Sequence, residues 1–259
     1  MDVEGVSIFA RGISAGGPEG TVFENVDLYV PSGSLSVVVG SGGTGRTSML
    51  LALSGRMRLI TGRLEVDRLA LPRRARRVRR MVHPARLRPG YELEPKHRIA
   101  QAVAERRMTA KVTDDDVAWA FGLIDLTPDP RATVDELSPT DQLLFAIGLA
   151  AAAAPPAIVV DDVEAGLPWD ARYRAWQALH ALTRTGMTVI ASSTDEPDAD
   201  VDVDVIHMPA HPDEQEPEDE PERHGERTLV DGDFPGGAGD AEGGSTGDRG
   251  ADDDRGGAR

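Results

Sequence analysis

Cysteine is absent from all 259 residues, and lysine occurs only at Lys96 and Lys111. No disulfide framework, thiolate metal site or cysteine nucleophile is open to the chain, and its cationic chemistry falls to arginine. Aromatic residues make up 4%, too few for a surface built on base stacking. A formal charge of −16 removes a generic nucleic-acid-coating role, which needs a basic face to meet phosphate. The opening Met1-Asp2-Val3-Glu4 has no basic-then-apolar leader, so no secretory signal is expected. Long apolar runs are missing too, with one exception. Leu143 to Val160 is uncharged over about the length at which a membrane helix must be considered. Pro155-Pro156 would break such a helix, and the Ala-rich segment before the pair and the β-branched run after it have opposite propensities. A soluble helix followed by a strand is expected instead.

The 40% of apolar residues is enough for a sizeable core, and the length fits one or two domains. The acidity is unevenly placed. Residues 211–259 hold nine Asp and seven Glu against five Arg, a net of −11, which leaves −5 for residues 1–210. That Asp-, Glu-, Gly- and Pro-rich segment has too little apolar side chain to offset ordering entropy, so a disordered acidic tail is expected there.

Within the body, Val22 to Val30, Ser34 to Val39, Arg63 to Val66 and Arg80 to His83 read as strands, and a helix is expected from Gly45 to about Arg56. Ala157 to Val160 is a continuous apolar run of the kind found in parallel sheets covered on both faces. Tyr173, Trp176, Leu179 and Leu182 repeat at helical spacing as far as Gly186, ahead of a strand at Thr188 to Ser192. Arg98 to Ala154 is almost wholly helical in pattern, with Thr113 and Ser138 as start signals. Strands alternating with helices predict a parallel α/β core carrying a helical insert.

Two features carry chemistry. Gly40-Ser41-Gly42-Gly43-Thr44-Gly45-Arg46-Thr47 follows a strand and opens a helix, the context in which G-x-x-x-x-G-K-[ST] has a mechanism. Glycines let backbone N–H groups turn inward, and the helix N-terminus favours phosphate oxygens. Arg46 stands where that motif requires lysine, keeping the charge but spreading it over a longer, planar group. Ile158-Val159-Val160-Asp161-Asp162 places two carboxylates at the C-terminal end of an apolar strand, where open α/β sheets bind ligands.

In the order and spacing of these motifs, residues 3 to 209 resemble the nucleotide-binding subunit of ATP-binding cassette (ABC) transporters. The resemblance implies a P-loop NTPase fold: a mixed core sheet with flanking helices, an antiparallel β subdomain and a helical insert at about 91–154, within an ATP-binding domain of residues 1–210. It further implies ATP on Gly40 to Thr47 with Ser48 beside them, and Mg2+ on Thr47 and Asp161. A separate membrane-spanning transporter subunit is implied as partner, with a homodimer or a heterodimer with another ATP-binding subunit, in the cytoplasm at the inner face of the membrane. Nucleic acid is not expected as a partner.

Each motif departs from the family pattern. Leu137-Ser138-Pro139-Thr140-Asp141 falls on the Leu-Ser-Gly-Gly-Gln signature. Ser138 there reads either as a weakened signature that meets the γ-phosphate across a dimer or as a plain helix cap. Asp162 stands in place of the catalytic glutamate, Thr194 in place of the switch histidine, and His83 aligns with the Q-loop glutamine. Ile13 to Gly20 lacks the adenine-stacking aromatic, so base recognition is expected to be loose. His97, His180 and His207 have no metal-binding spacing. Arg73, Arg74, Arg76, Arg77, Arg79, Arg80, Arg86 and Arg88 read as a solvated face or one that meets acidic groups. The implied activity is ATP binding with slow hydrolysis; the alternative is a nucleotide-binding module without turnover.

Overall fold

The computed structural model describes residues 2–18, 20–198 and 200–209; the acidic tail expected at 211–259 lies outside the described residues. Parallel and antiparallel pairing are divided between two sheets. The antiparallel sheet has the order β2-β1-β4-β5, from β1 (Ile8–Gly17), β2 (Gly20–Val30), β4 (Thr61–Val66) and β5 (Leu69–Ala70). The core sheet has the order β6-β7-β8-β3-β9, from β3 (Leu35–Val39), β6 (Val82–Arg86), β7 (Ala157–Val160), β8 (Thr188–Ser193) and β9 (Asp204–His207), and all its pairs are parallel. The fold is α/β, as expected.

Central strands β3, β7 and β8 are buried at every position; β7 is accordingly an unbroken apolar run, while β3 and β8 also bury Ser36, Thr188, Ser192 and Ser193. Between β6 and β7 come α3 (Ile99–Ala110), α4 (Asp114–Leu123), a short 3-10 turn at Val134–Glu136 and α5 (Pro139–Ala151). Thr113 caps α4, its hydroxyl accepting from the Asp116 N–H at 3.2 Å, and Ser138 caps α5. The uncharged run from Leu143 thus resolves into α5, the Pro155-Pro156 break and β7. No helix among the described residues is long and apolar enough to cross a membrane.

Three elements differ from expectation. β1 was not visible because its register shifts between Ala10 and Ile13, and again around Ala15, and each shift resets the two-residue alternation. β9 is a four-residue, half-exposed edge strand of polar context. The strand expected at Arg80 to His83 starts at Val82 instead, because Ala75–Met81 forms a helix, α2, with Val78 as its one buried residue. A helix with one buried position leaves no apolar stripe to read.

Candidate functional site

The C-terminal ends of β3, β7, β8 and β6 set the site. β3 hands the chain to the loop Gly40–Gly45, after which α1 (Arg46–Leu53) begins. Gly45 is left-handed at φ 86° and ψ 17° and gives α1 no side-chain cap, and the first turn holds no acid, so the N-terminal N–H groups stay directed at the loop. Glycine is required there: a Cβ on Gly45 would sit 2.7 Å from Val22 Cγ1 and 2.9 Å from the Val22 carbonyl. Thr44 is buried, and its hydroxyl closes the loop by donating to the Ser41 carbonyl at 2.9 Å.

Asp161, buried at the end of β7, is gripped on both carboxylate oxygens. The Thr47 hydroxyl donates to Oδ2 at 2.7 Å and the Ser192 hydroxyl to Oδ1 at 2.6 Å. Ser192 Oγ also accepts the Asp162 N–H at 2.8 Å. Asp162 itself is left-handed at φ 48°, a conformation that costs an ordinary residue about 1 kcal/mol and persists where contacts fix it. Its carboxylate pairs with the Arg46 guanidinium at 2.8 Å. The Arg46 side chain is only 10% exposed, and its Nη1 is buried with no hydrogen-bond partner among the described residues.

Arg86, read from sequence as part of a solvated face or one that meets acidic groups, lies at the site beside Asp161 and Asp162. It ends β6 opposite Val160. Its Nε and Nη2 donate to the Asp161 carbonyl at 3.2 and 3.0 Å, and Nη2 also donates to the Asp162 carbonyl. Burial, then the nearby Arg88, lower its pKa, while Asp162 and Asp161 oppose that shift. The neighbouring arginines Arg73, Arg74, Arg76, Arg77, Arg79 and Arg80 are exposed. Nothing in the composition separates Arg86 from them; only strand register does.

Register also decides His83. It pairs with Ile158, three residues before Asp161, or about 10 Å along the strand. It is not among the groups gathered around the carboxylates. Its Nδ1 lies 3.2 Å from Arg106 Nη2 of α3, and burial, then the Arg106 charge, lower its pKa to about 4. The neutral ring accepts from Arg106. Thr194 follows β8 and is exposed, its hydroxyl donating to Asp195 Oδ2 at 3.2 Å. It adjoins the loop through Ser193, whose carbonyl accepts the Gly40 N–H at 3.4 Å. Ser48 is half-buried on α1.

Ser138 takes part in a cap. Its hydroxyl donates to Asp141 Oδ2 at 2.8 Å and accepts the Asp141 N–H at 3.1 Å, while Asp141 pairs with Arg174 of the helix α6 (Trp169–Thr183) at 2.8 Å. The charge that Asp141 adds to this helix start is thus matched by Arg174.

The arrangement offers an anion cradle with a buried cation, and next to it a hydroxyl–carboxylate pair. Thr47 and Asp161 fit a hard divalent ion of the magnesium type, which takes one or two protein oxygens and completes its shell with water and phosphate. No cluster of three or more acidic, His or Cys side chains suited to a metal occurs among the described residues, so the protein alone does not build a full cation cage.

Comparison with known proteins agrees with this geometry. A family model described as ABC transporter matches residues 23–165, more than half of the chain. A Pyrococcus furiosus protein described as an ABC transporter ATP-binding protein is 23% identical over 172 residues, covering 65% of this chain and 64% of its own length. Among solved structures, cbiO1 of Clostridium perfringens, part of the ABC transporter complex cbiONQ, matches with a TM-score of 0.64 at 16% identity over 75% of this chain and 80% of its own. The dimeric ATP-binding cassette MJ0796 bound to ADP and Pi matches with a TM-score of 0.65 at 17% identity, covering 78% of this chain and 94% of its own. The chain belongs to the ABC transporter family and has the fold of its ATP-binding cassettes.

Proposed function

We propose that this chain binds Mg-ATP on Gly40 to Thr47 and hydrolyses it slowly, driving a separate membrane-spanning subunit from the cytoplasmic face as one half of a homo- or heterodimer. The Thr47–Asp161 contact carries the reading: at 2.7 Å it joins the end of the glycine loop to the end of β7, where a phosphate-bound Mg2+ is to be held. Bound there, the ion neutralises charge on the phosphate chain. In this reading Arg46 supplies positive charge to the phosphates, Asp162 orients the attacking water, and Thr194 gives a single hydroxyl in place of an imidazole. Dimerisation brings Ser138 of one copy to the loop of the other. His83 acts at most through Arg106. The complex of cbiO1 and the dimer of MJ0796 support the partner and the dimer by likeness of fold.

A second reading, nucleotide binding without turnover, is favoured by one observation: the Arg46–Asp162 ion pair occupies Oδ1, one of the two oxygens of the carboxylate that would orient water. Phosphate release from ATP by the full chain, with and without Mg2+, separates the two. Magnesium-dependent release that Asp162→Asn abolishes supports hydrolysis; saturable ATP binding with no release supports the second reading.

A further inference from the structure

The two departures flanking the carboxylate site, arginine for lysine at Arg46 and aspartate for glutamate at Asp162, meet in a single contact at 2.8 Å. The pair is held rigidly from the Asp162 side. Its N–H donates to Ser192, its carbonyl accepts from Arg86, and its backbone is left-handed. On the Arg46 side one half of the fork is unused: Nη2 binds Asp162 while Nη1 is buried without a partner. A buried charged donor left unpaired costs several times what an exposed one does, and Nη1 belongs to the residue that directly follows the left-handed Gly45 turn. Lysine, with one ammonium on a flexible stem, cannot address two acceptors in a fixed plane; guanidinium can.

We propose that Arg46 is a positioning residue shared between nucleotide and Asp162, with Nη1 on a phosphate oxygen and Nη2 on the carboxylate. The side chain that retains the nucleotide also engages Oδ1 of Asp162, one of the two oxygens that could orient water. The inference rests on nucleotide binding at Gly40 to Thr47 and adds that binding and restraint of turnover are one device. It requires Asp162 to help ATP binding when Arg46 is present, by holding the fork in place, and to oppose it when Arg46 is gone, by leaving a bare carboxylate beside the phosphates.

The test is ATP affinity, by calorimetry on the full chain, for wild type, Asp162→Asn, Arg46→Ala and the double variant, with thermal melts to confirm folding. Asp162→Asn is expected to weaken ATP at least threefold in the wild-type background and to tighten it at least threefold on Arg46→Ala. The conservative Arg46→Lys, which breaks the sharing but keeps the charge, is expected to weaken ATP at least threefold, as Asp162→Asn does, and to raise phosphate release at least fivefold. The same effect of Asp162→Asn in both backgrounds, or unchanged release in Arg46→Lys, overturns the inference. Wild type that binds no ATP overturns instead the function on which it rests.

Discussion

Arg86 and Asp161 are tied to each other twice across adjacent strands. The Asp161 N–H donates to the Arg86 carbonyl at 2.8 Å, and the Arg86 guanidinium returns to the Asp161 carbonyl at 3.0 and 3.2 Å. This clamp sets where the Asp161 carboxylate and the next residue stand. Arg86→Met keeps the stem and removes the donors, leaving the Asp161 carbonyl short of a partner while the Asp162 carbonyl keeps the Ala165 N–H at 3.0 Å, which costs about 2 kcal/mol for a charge-assisted pair. A lowered melting temperature together with weaker ATP binding is the expected outcome of calorimetry; a change in stability alone would mean that the clamp does not serve the site.

Thr47→Val removes the hydroxyl from Asp161 Oδ2 with little change of volume. The expected result is loss of the magnesium-dependent part of ATP affinity, about tenfold, equivalent to about 1.4 kcal/mol. Affinity measured in the presence of a chelator should move much less. Equal losses with and without Mg2+ would contradict the assignment of Thr47 to the cation.

Gly45 and Gly43 are both left-handed, at φ 86° and 90°, yet only Gly45 is crowded, with Val22 atoms at 2.7 and 2.9 Å from an added Cβ; an added Cβ on Gly43 meets nothing within 4 Å. Gly45→Ala should therefore cost about 3 kcal/mol and Gly43→Ala about 1 kcal/mol, the difference being overpacking. Chemical denaturation of the two variants checks the order. Gly43→Ala should nonetheless weaken ATP, because its methyl enters the cradle.

His83 gives a pH signature in stability. With its pKa lowered from 6.5 to about 4 in the fold, the unfolded chain takes up a proton between these values that the folded chain refuses. The His83 contribution to stability is thus fully present above pH 6.5 and is lost as pH falls towards 4, at about 1.4 kcal/mol per unit at most. His83→Asn should flatten the stability profile across that window and leave ATP affinity within twofold. Parallel profiles for variant and wild type would contradict the burial of a neutral ring against Arg106.

The sequence made the parallel core and the loop visible because β3, β7 and β8 are buried on both faces and the loop needs glycine at left-handed positions. Asp161, Asp162, Arg46 and Thr47 were nameable for the same reason, as they flank those runs. The remainder depended on register. Placing the strand two residues early hid the register that sets His83 against Arg106 and Arg86 against Asp161, and that register is not readable without knowing that α2 occupies Ala75–Met81. β1 was hidden by its bulges, whereas β2, whose Val22 lies against Gly45, was expected from Val22 to Val30. The Arg46–Asp162 pair joins residues more than a hundred positions apart, and no local propensity reports it.

The loop from Gly40 to Thr47, joined to Asp161, is proposed as a nucleotide site. Equilibrium titration of the full chain with ATP and Mg2+, alongside Gly43→Ala and Thr47→Val, tests it. Saturable binding by wild type is expected, weakened in both variants and reduced by chelation. Absence of saturable binding by folded wild type, or binding that both variants leave unchanged, would contradict it.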